Sequence, residues 1–254
     1  MSWRNFSDKV RRYTIFSRSE LFEFVAMIFV FAFIYSFDKW GPGAQFDLGS
    51  GIKNYLYAMV LIASVVFVHN MAQRIVAVRN GFRAEHRLWW YGLLLGLLLV
   101  VVSNGKIWWL QLYFASGLYI HQLAVHRLGT FRYGPNIDTY AWIAACGPLA
   151  NVLFAAAVKT LQFWSPFALN AVVVDDLFVL NLWFAFLNLL PIPPLDGSRI
   201  FFASRLWYAF SFGTLAGYVL LIQLLNVFSF IYALIIGGIV WLGFYIFFEK
   251  EWTK

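Results

Sequence analysis

Six apolar stretches divide the chain, and each needs a solvent other than water. They are Leu21–Phe37, Tyr55–Val78, Tyr140–Phe163, Leu177–Leu190, Leu206–Leu225 and Val227–Phe248. The longer ones meet the ~20 residues that a helix needs to cross a hydrocarbon core. Inside a bilayer the backbone finds no water to bond, so a crossing segment must satisfy its own N–H and C=O groups. Composition agrees: 62% of the 254 residues are hydrophobic and only 12% are charged, with mean hydropathy +0.71. The predicted fold class is therefore an all-α polytopic membrane protein of about six transmembrane helices. A basic segment, residues 1–20, precedes a single domain over 21–254.

Charge gives that domain an orientation. Of the 19 Lys and Arg, all but Lys39, Lys53 and Lys159 fall on one side of a six-span layout. Cations accumulate on the cytoplasmic side of membrane proteins, so both termini are expected there. The net charge of +7 then needs no nucleic acid to explain it. The first 20 residues are basic and polar, so no cleavable signal peptide is expected. Arg11-Arg12 reads as an ordinary basic flank. A single cysteine, Cys146, excludes an intramolecular disulfide and a cysteine zinc cage.

Residues 88–139 do not fit the six-span pattern. Leu93–Val102 is strongly apolar but too short to cross. The following Ile107–Val125 mixes aromatics with His121 and Gln122. A re-entrant or membrane-associated hairpin is the preferred reading, with two extra spans as the alternative.

The most distinctive stretch is NLLPIPPLDG, Asn188–Gly197. Pro191, Pro193 and Pro194 must unwind the segment, because proline lacks the helical donor and clashes with the preceding turn. Asp196 then stands on irregular backbone at or near membrane depth, where an ionisable group is a functional candidate. The local alternative is a helix cap, with Asp196 starting a helix near Ser198. With Asn188, Pro191, Pro193, Leu195, Asp196 and Gly197 all in register, the stretch resembles the N-x-x-P-x-P-x-L-D-G signature of the site-2 protease family, the intramembrane zinc metalloproteases. The resemblance covers most of residues 55–205 and includes GPLAN, Gly147–Asn151. It implies that Asp196 is at a zinc-ligand position and that Asn151 and Asn188 line a cleft for an unwound substrate segment. For Gly147, Pro148 and Asn151 the alternative is helix packing, a kink and an interhelical bond.

The same resemblance implies H-E-x-x-H-x-x-x-A on an earlier span, two imidazoles one turn apart with a glutamate base beside the first. The corresponding text here begins His69-Asn70-Met71-Ala72-Gln73 and ends at Ala77. Asn70 stands at the general-base position and has no proton-accepting carboxylate. Gln73 stands at the second imidazole position and offers only a neutral amide. His69, Gln73 and Asp196 are thus the family metal positions, with zinc expected to be absent or weakly held. His69 is expected to be a buried imidazole bonded to Asp196, Asn70 or Gln73 in a metal-free polar cluster. A rewired metal site would have to draw on His86, His121 or His126.

Two functions follow. The first is a proteolytically inactive pseudoprotease that binds a transmembrane helix or peptide, or serves as a membrane-complex subunit. The alternative is an active, or deliberately inactivated, intramembrane zinc metalloprotease. A transporter reading lacks a pair of broken helices in inverted repeats.

Overall fold

A computed structural model describes residues 3–41, 45–106, 116–122, 137–164 and 170–250. Its described residues are mainly helical, and six helices are long and apolar enough to span a membrane. The chain is a multi-pass integral membrane protein.

The basic N-terminal segment forms helix α1 (Trp3–Tyr13), and α2 (Arg18–Ser36) is the first span. Ser17 and Glu20 close a reciprocal capping box at its start, satisfying donors that the first helical turn leaves free. Helix α3 (Leu48–Arg79) starts seven residues before the expected Tyr55. Asp47 is the reason: its carboxylate accepts from Gly49 N–H and Ser50 hydroxyl and initiates the helix early.

The segment after α3 folds as a hairpin-like insertion. Strand β1 (Phe82–Leu88) leads into the short helix α4 (Trp90–Val102), and β2 (Ser116–Gln122) returns antiparallel to β1. At 1.5 Å per residue the 13 residues of α4 span about 20 Å, short of a crossing. It packs through Leu93 and Val100 against α2 and α3. Glu23 accepts from Leu88 N–H at 2.8 Å and ties α2 to the end of β1.

Next come α5 (Ile137–Trp164), α6 (Ala171–Asn188), the short α7 (Asp196–Ala203), α8 (Arg205–Leu225) and α9 (Phe230–Phe244). A final turn over Tyr245–Glu249 widens to π geometry. Helix α6 begins six residues before the expected Leu177. Its early Asp175 and Asp176 are matched by Lys159 and by Tyr57, whose hydroxyl donates to Asp176 at 2.8 Å. Two large cores result. One joins α2, α3, α4 and α6; the other joins α5 to α9. A third, smaller one packs the sheet between the end of α3 and α5 through Ala77, Phe82, Ala84, Leu118 and Ile143.

Candidate functional site

Three segments converge where the proline-broken turn meets α3. Residues four apart on a helix share a face, so His69 and Gln73 project together. Helix α6 ends at Asn188, the chain turns through 189–195, and α7 opens with Asp196. Gly197 makes this turn possible. A Cβ there would stand 2.0 Å from Leu189 O and 2.6 Å from Leu190 O, so only glycine lets α7 sit on the end of α6. Helix α5 forms the opposite wall. A Cβ at Gly147 would lie 2.4 Å from His69 Nε2 and 2.6 Å from Gln73 Nε2.

The side chains form one bonded cluster. Asp196 Oδ2 lies 2.9 Å from His69 Nε2 and 2.8 Å from Gln73 Nε2. A carboxylate accepts, so both nitrogens donate. Gln73 Nε2 also donates to Ala144 O at 3.1 Å, which fixes the orientation of the amide. Its oxygen therefore faces His86 Nε2, 2.7 Å away, and accepts from it. The 3.2 Å between His69 Nε2 and Gln73 Nε2 is then a contact between two donors. His69, Gln73 and Asp196 are all buried, and the Phe184 ring stands edge-on to His69 at 5.1 Å.

His86 is the member that residue spacing along α3 does not supply. It lies on the inner face of β1, because Phe82, Ala84, His86 and Leu88 alternate with Arg83, Glu85 and Arg87. That alternation is visible in the sequence as a lone imidazole on an apolar strand face. His121 is elsewhere: its side chain is 59% exposed and 3.9 Å from Glu85. His126 lies outside the described residues.

Asn70 departs from the expected cluster. It is buried, makes no hydrogen bond through Nδ2 among the described residues, and lines a small hollow with Phe16, Glu20, Arg74 and His86. One residue beyond His69 on a helix is a rotation of about 100°, which carries its side chain away from Asp196. Asn151 takes the interhelical alternative. Its Nδ2 donates to Val65 O at 3.2 Å and Asn181 Oδ1 at 3.0 Å, joining α5 to α3 and α6. Asn188 donates to Phe184 O at 2.8 Å and lines a small cavity with His69, His86, Leu118, Pro194, Leu195 and Asp196. That cavity holds about 10 Å³, roughly the space one water needs. Asp196 does not cap a helix. Leu195 is the cap residue, and the aspartate lies in the first turn of α7 with its carboxylate turned to α3.

Behind Asn70 sits a buried ion pair. Arg74 Nη2 donates to Glu20 Oε1 at 2.5 Å, with side-chain exposures of 1% and 2%. The Phe16 ring covers the guanidinium at 4.1 Å.

The donor set does not fit a catalytic zinc. Catalytic zinc takes three protein ligands plus water, whereas the positions facing one another on α3 and α7 supply one imidazole, one carboxylate and an amide. Gln73 turns its nitrogen, a donor, toward His69 and Asp196. Among the described residues no three of His, Cys, Asp and Glu are grouped to hold a metal.

Comparison with known proteins adds one relationship. The chain is 28% identical over 189 residues to a Methanocaldococcus jannaschii protein named "Putative zinc metalloprotease MJ0611", covering 73% of this chain and 84% of that protein. This supports a metalloprotease relationship for this membrane protein. No protein-family model matches the chain, and no solved structure matches it significantly.

Burial of the His86 ring, reinforced by His69, Arg74 and Arg199, holds its pKa well below the usual 6.5. The folded state therefore keeps His86 neutral where the unfolded chain takes up a proton. That contribution is complete above pH ~6.5 and is lost as pH falls below it, by at most ~1.4 kcal/mol per pH unit. Thermal unfolding in detergent between pH 7.5 and 5.5 is expected to show a smaller loss of stability in His86→Gln than in the wild type. Equal losses would contradict this assignment.

Proposed function

We propose that this chain is a site-2-protease-like membrane protein without peptidase activity, which binds a transmembrane segment of another membrane protein. One observation carries the reading: the Gln73 amide bridges Asp196 and His86, filling the centre of the cluster with hydrogen bonds. Asn70 supports it from the other side. The base position holds an amide, and loss of a general base costs about 100- to 10,000-fold in rate. The proline turn and its neighbouring strand survive, with Gly117 packed 3.2 Å from Pro194 at the position of a Cβ. A retained turn around a disabled centre suits holding or sheltering a locally unwound helix, alone or as a subunit of a larger membrane complex. The charge bias favours cytoplasmic termini.

The test reconstitutes the full chain in vesicles with single-span reporter helices, each bearing a mid-membrane Asn-Pro pair. A photo-crosslinking residue is introduced at Leu118, beside the cluster. Crosslinked reporter of full length is the expected result. Cleaved reporter would refute inactivity, and the absence of any crosslink across the reporter set would refute binding.

A second reading has one finding in its favour, the similarity to the Methanocaldococcus jannaschii protein named as a zinc metalloprotease. In it the chain is an intramembrane metalloprotease with an altered centre. His69→Ala and Asp196→Asn would then abolish reporter cleavage, and unchanged cleavage would remove that reading.

A further inference from the structure

Away from the cluster, uncompensated charge is concentrated in α1. That helix carries four cations against Asp8 alone. Phe6, Val10 and Tyr13 recur at helical spacing and share one face, while Lys9, Arg11 and Arg12 occupy the remainder. Phe6 and Val10 are half-buried, and the helix rests against α3. Arg11, Arg12 and Arg18 are exposed and make no ion pair among the described residues.

The chain itself limits how far this helix can stand from the bilayer. Only residues 14–17 separate it from the first span, and four residues reach at most about 14 Å. Phe16, within that link, covers the Arg74 guanidinium at 4.1 Å and so holds the link against α3. Tyr13 and Ile15 are exposed where α1 ends, and exposed Leu21 and Phe22 carry the apolar surface on into the span. A helix with apolar residues on one side and cations on the other is suited to the boundary between acyl chains and headgroups.

We propose that α1 lies in the headgroup layer where the first span begins, and that its basic face, Lys9, Arg11 and Arg12, binds acidic phospholipid headgroups. The cations meet the phosphates of the surface, while Tyr13 and Ile15 reach toward the acyl chains. Arg11 and Arg12 leave the helix about 100° apart. That divergence suits several headgroups of a surface better than one free phosphate. The charge bias favours the cytoplasmic leaflet for this end of the protein, and acidic lipids give that leaflet its negative potential. Each cation near such a surface contributes roughly fivefold in binding.

The test places the full-length protein in nanodiscs of phosphatidylcholine alone or mixed with phosphatidylglycerol. Cys146→Ser removes the one native thiol, and Ser7→Cys carries an environment-sensitive dye at an exposed position of α1. Unfolding profiles establish that each protein compared is folded. With phosphatidylglycerol the emission is expected to shift to the blue. Salt at about 1 M should reverse the shift, since the Debye length then falls to roughly 3 Å. Arg11→Gln/Arg12→Gln is expected to weaken the lipid response by at least about tenfold, and Arg11→Lys/Arg12→Lys to keep it. An emission indifferent to phosphatidylglycerol in the labelled parent overturns the lipid contact. A glutamine variant that responds as fully as its parent, or a lysine variant that loses the response, overturns the role of the basic face. An equal shift on adding inorganic phosphate to phosphatidylcholine discs overturns the lipid surface as occupant.

Discussion

Arg74→Ala is expected to lower the unfolding free energy by about 3–5 kcal/mol, because it leaves the Glu20 carboxylate buried without its partner. The pair is almost wholly enclosed, at 1% and 2% exposure, and it fastens the first turn of α2 to the inner face of α3. Charges in such surroundings depend on each other. The expected signature is strong coupling: Glu20→Gln/Arg74→Met should lose clearly less than the sum of the single changes. Glutamine retains an oxygen for Ser17 N–H, which Glu20 now receives at 2.9 Å, so the capping box is not the variable. Denaturant titration of the four proteins in mixed micelles measures the effect. Additive losses would mean that the two side chains act independently.

Asp196→Ala carries the second large effect. It removes the acceptor shared by His69 Nε2 and Gln73 Nε2, leaving two buried donors without it. At about 1–3 kcal/mol for each unsatisfied group, the loss should be about 2–5 kcal/mol. Asp196→Asn keeps an oxygen of nearly the same position and should lose less. The same denaturant titration decides the matter. An Asp196→Ala protein as stable as wild type would mean that the carboxylate does not hold α7 against α3.

The spans were legible because apolar length is a blunt, additive signal. Each of the six expected segments overlaps one long helix, and their ends moved for local reasons. Asp47 starts α3 early, and the Asp175–Asp176 pair is absorbed into α6 by Lys159 and Tyr57. The meeting of His69, Gln73 and Asp196 was readable only through the motif resemblance, since 123 residues separate Gln73 from Asp196. His86 was only one of three histidines that a rewired site could draw on, and the Glu20–Arg74 pair was not anticipated. His86 depends on strand alternation inside a segment whose form was left open between a hairpin and extra spans. The Glu20–Arg74 pair depends on how α2 packs against α3, which no pattern along either helix records. Asn70 illustrates the reverse error. Adjacency to His69 in sequence suggested membership in the cluster, and helical rotation turned the side chain elsewhere.

GPLAN shows how one motif divides its work. Gly147 faces the cluster and admits His69 and Gln73 by lacking a side chain. Asn151, one turn on, bonds α3 and α6 instead of facing the small cavity. The motif therefore ties three helices together one turn along α3 from His69.

Elemental analysis of the purified wild type beside Asn70→Glu/Gln73→His tests the hydrogen-bonded centre most directly. About one zinc per chain in the double variant, with far less than one in wild type, is the expected result. Wild type carrying a full equivalent of zinc, lost on Asp196→Ala, would contradict a cluster held together by the Gln73 amide.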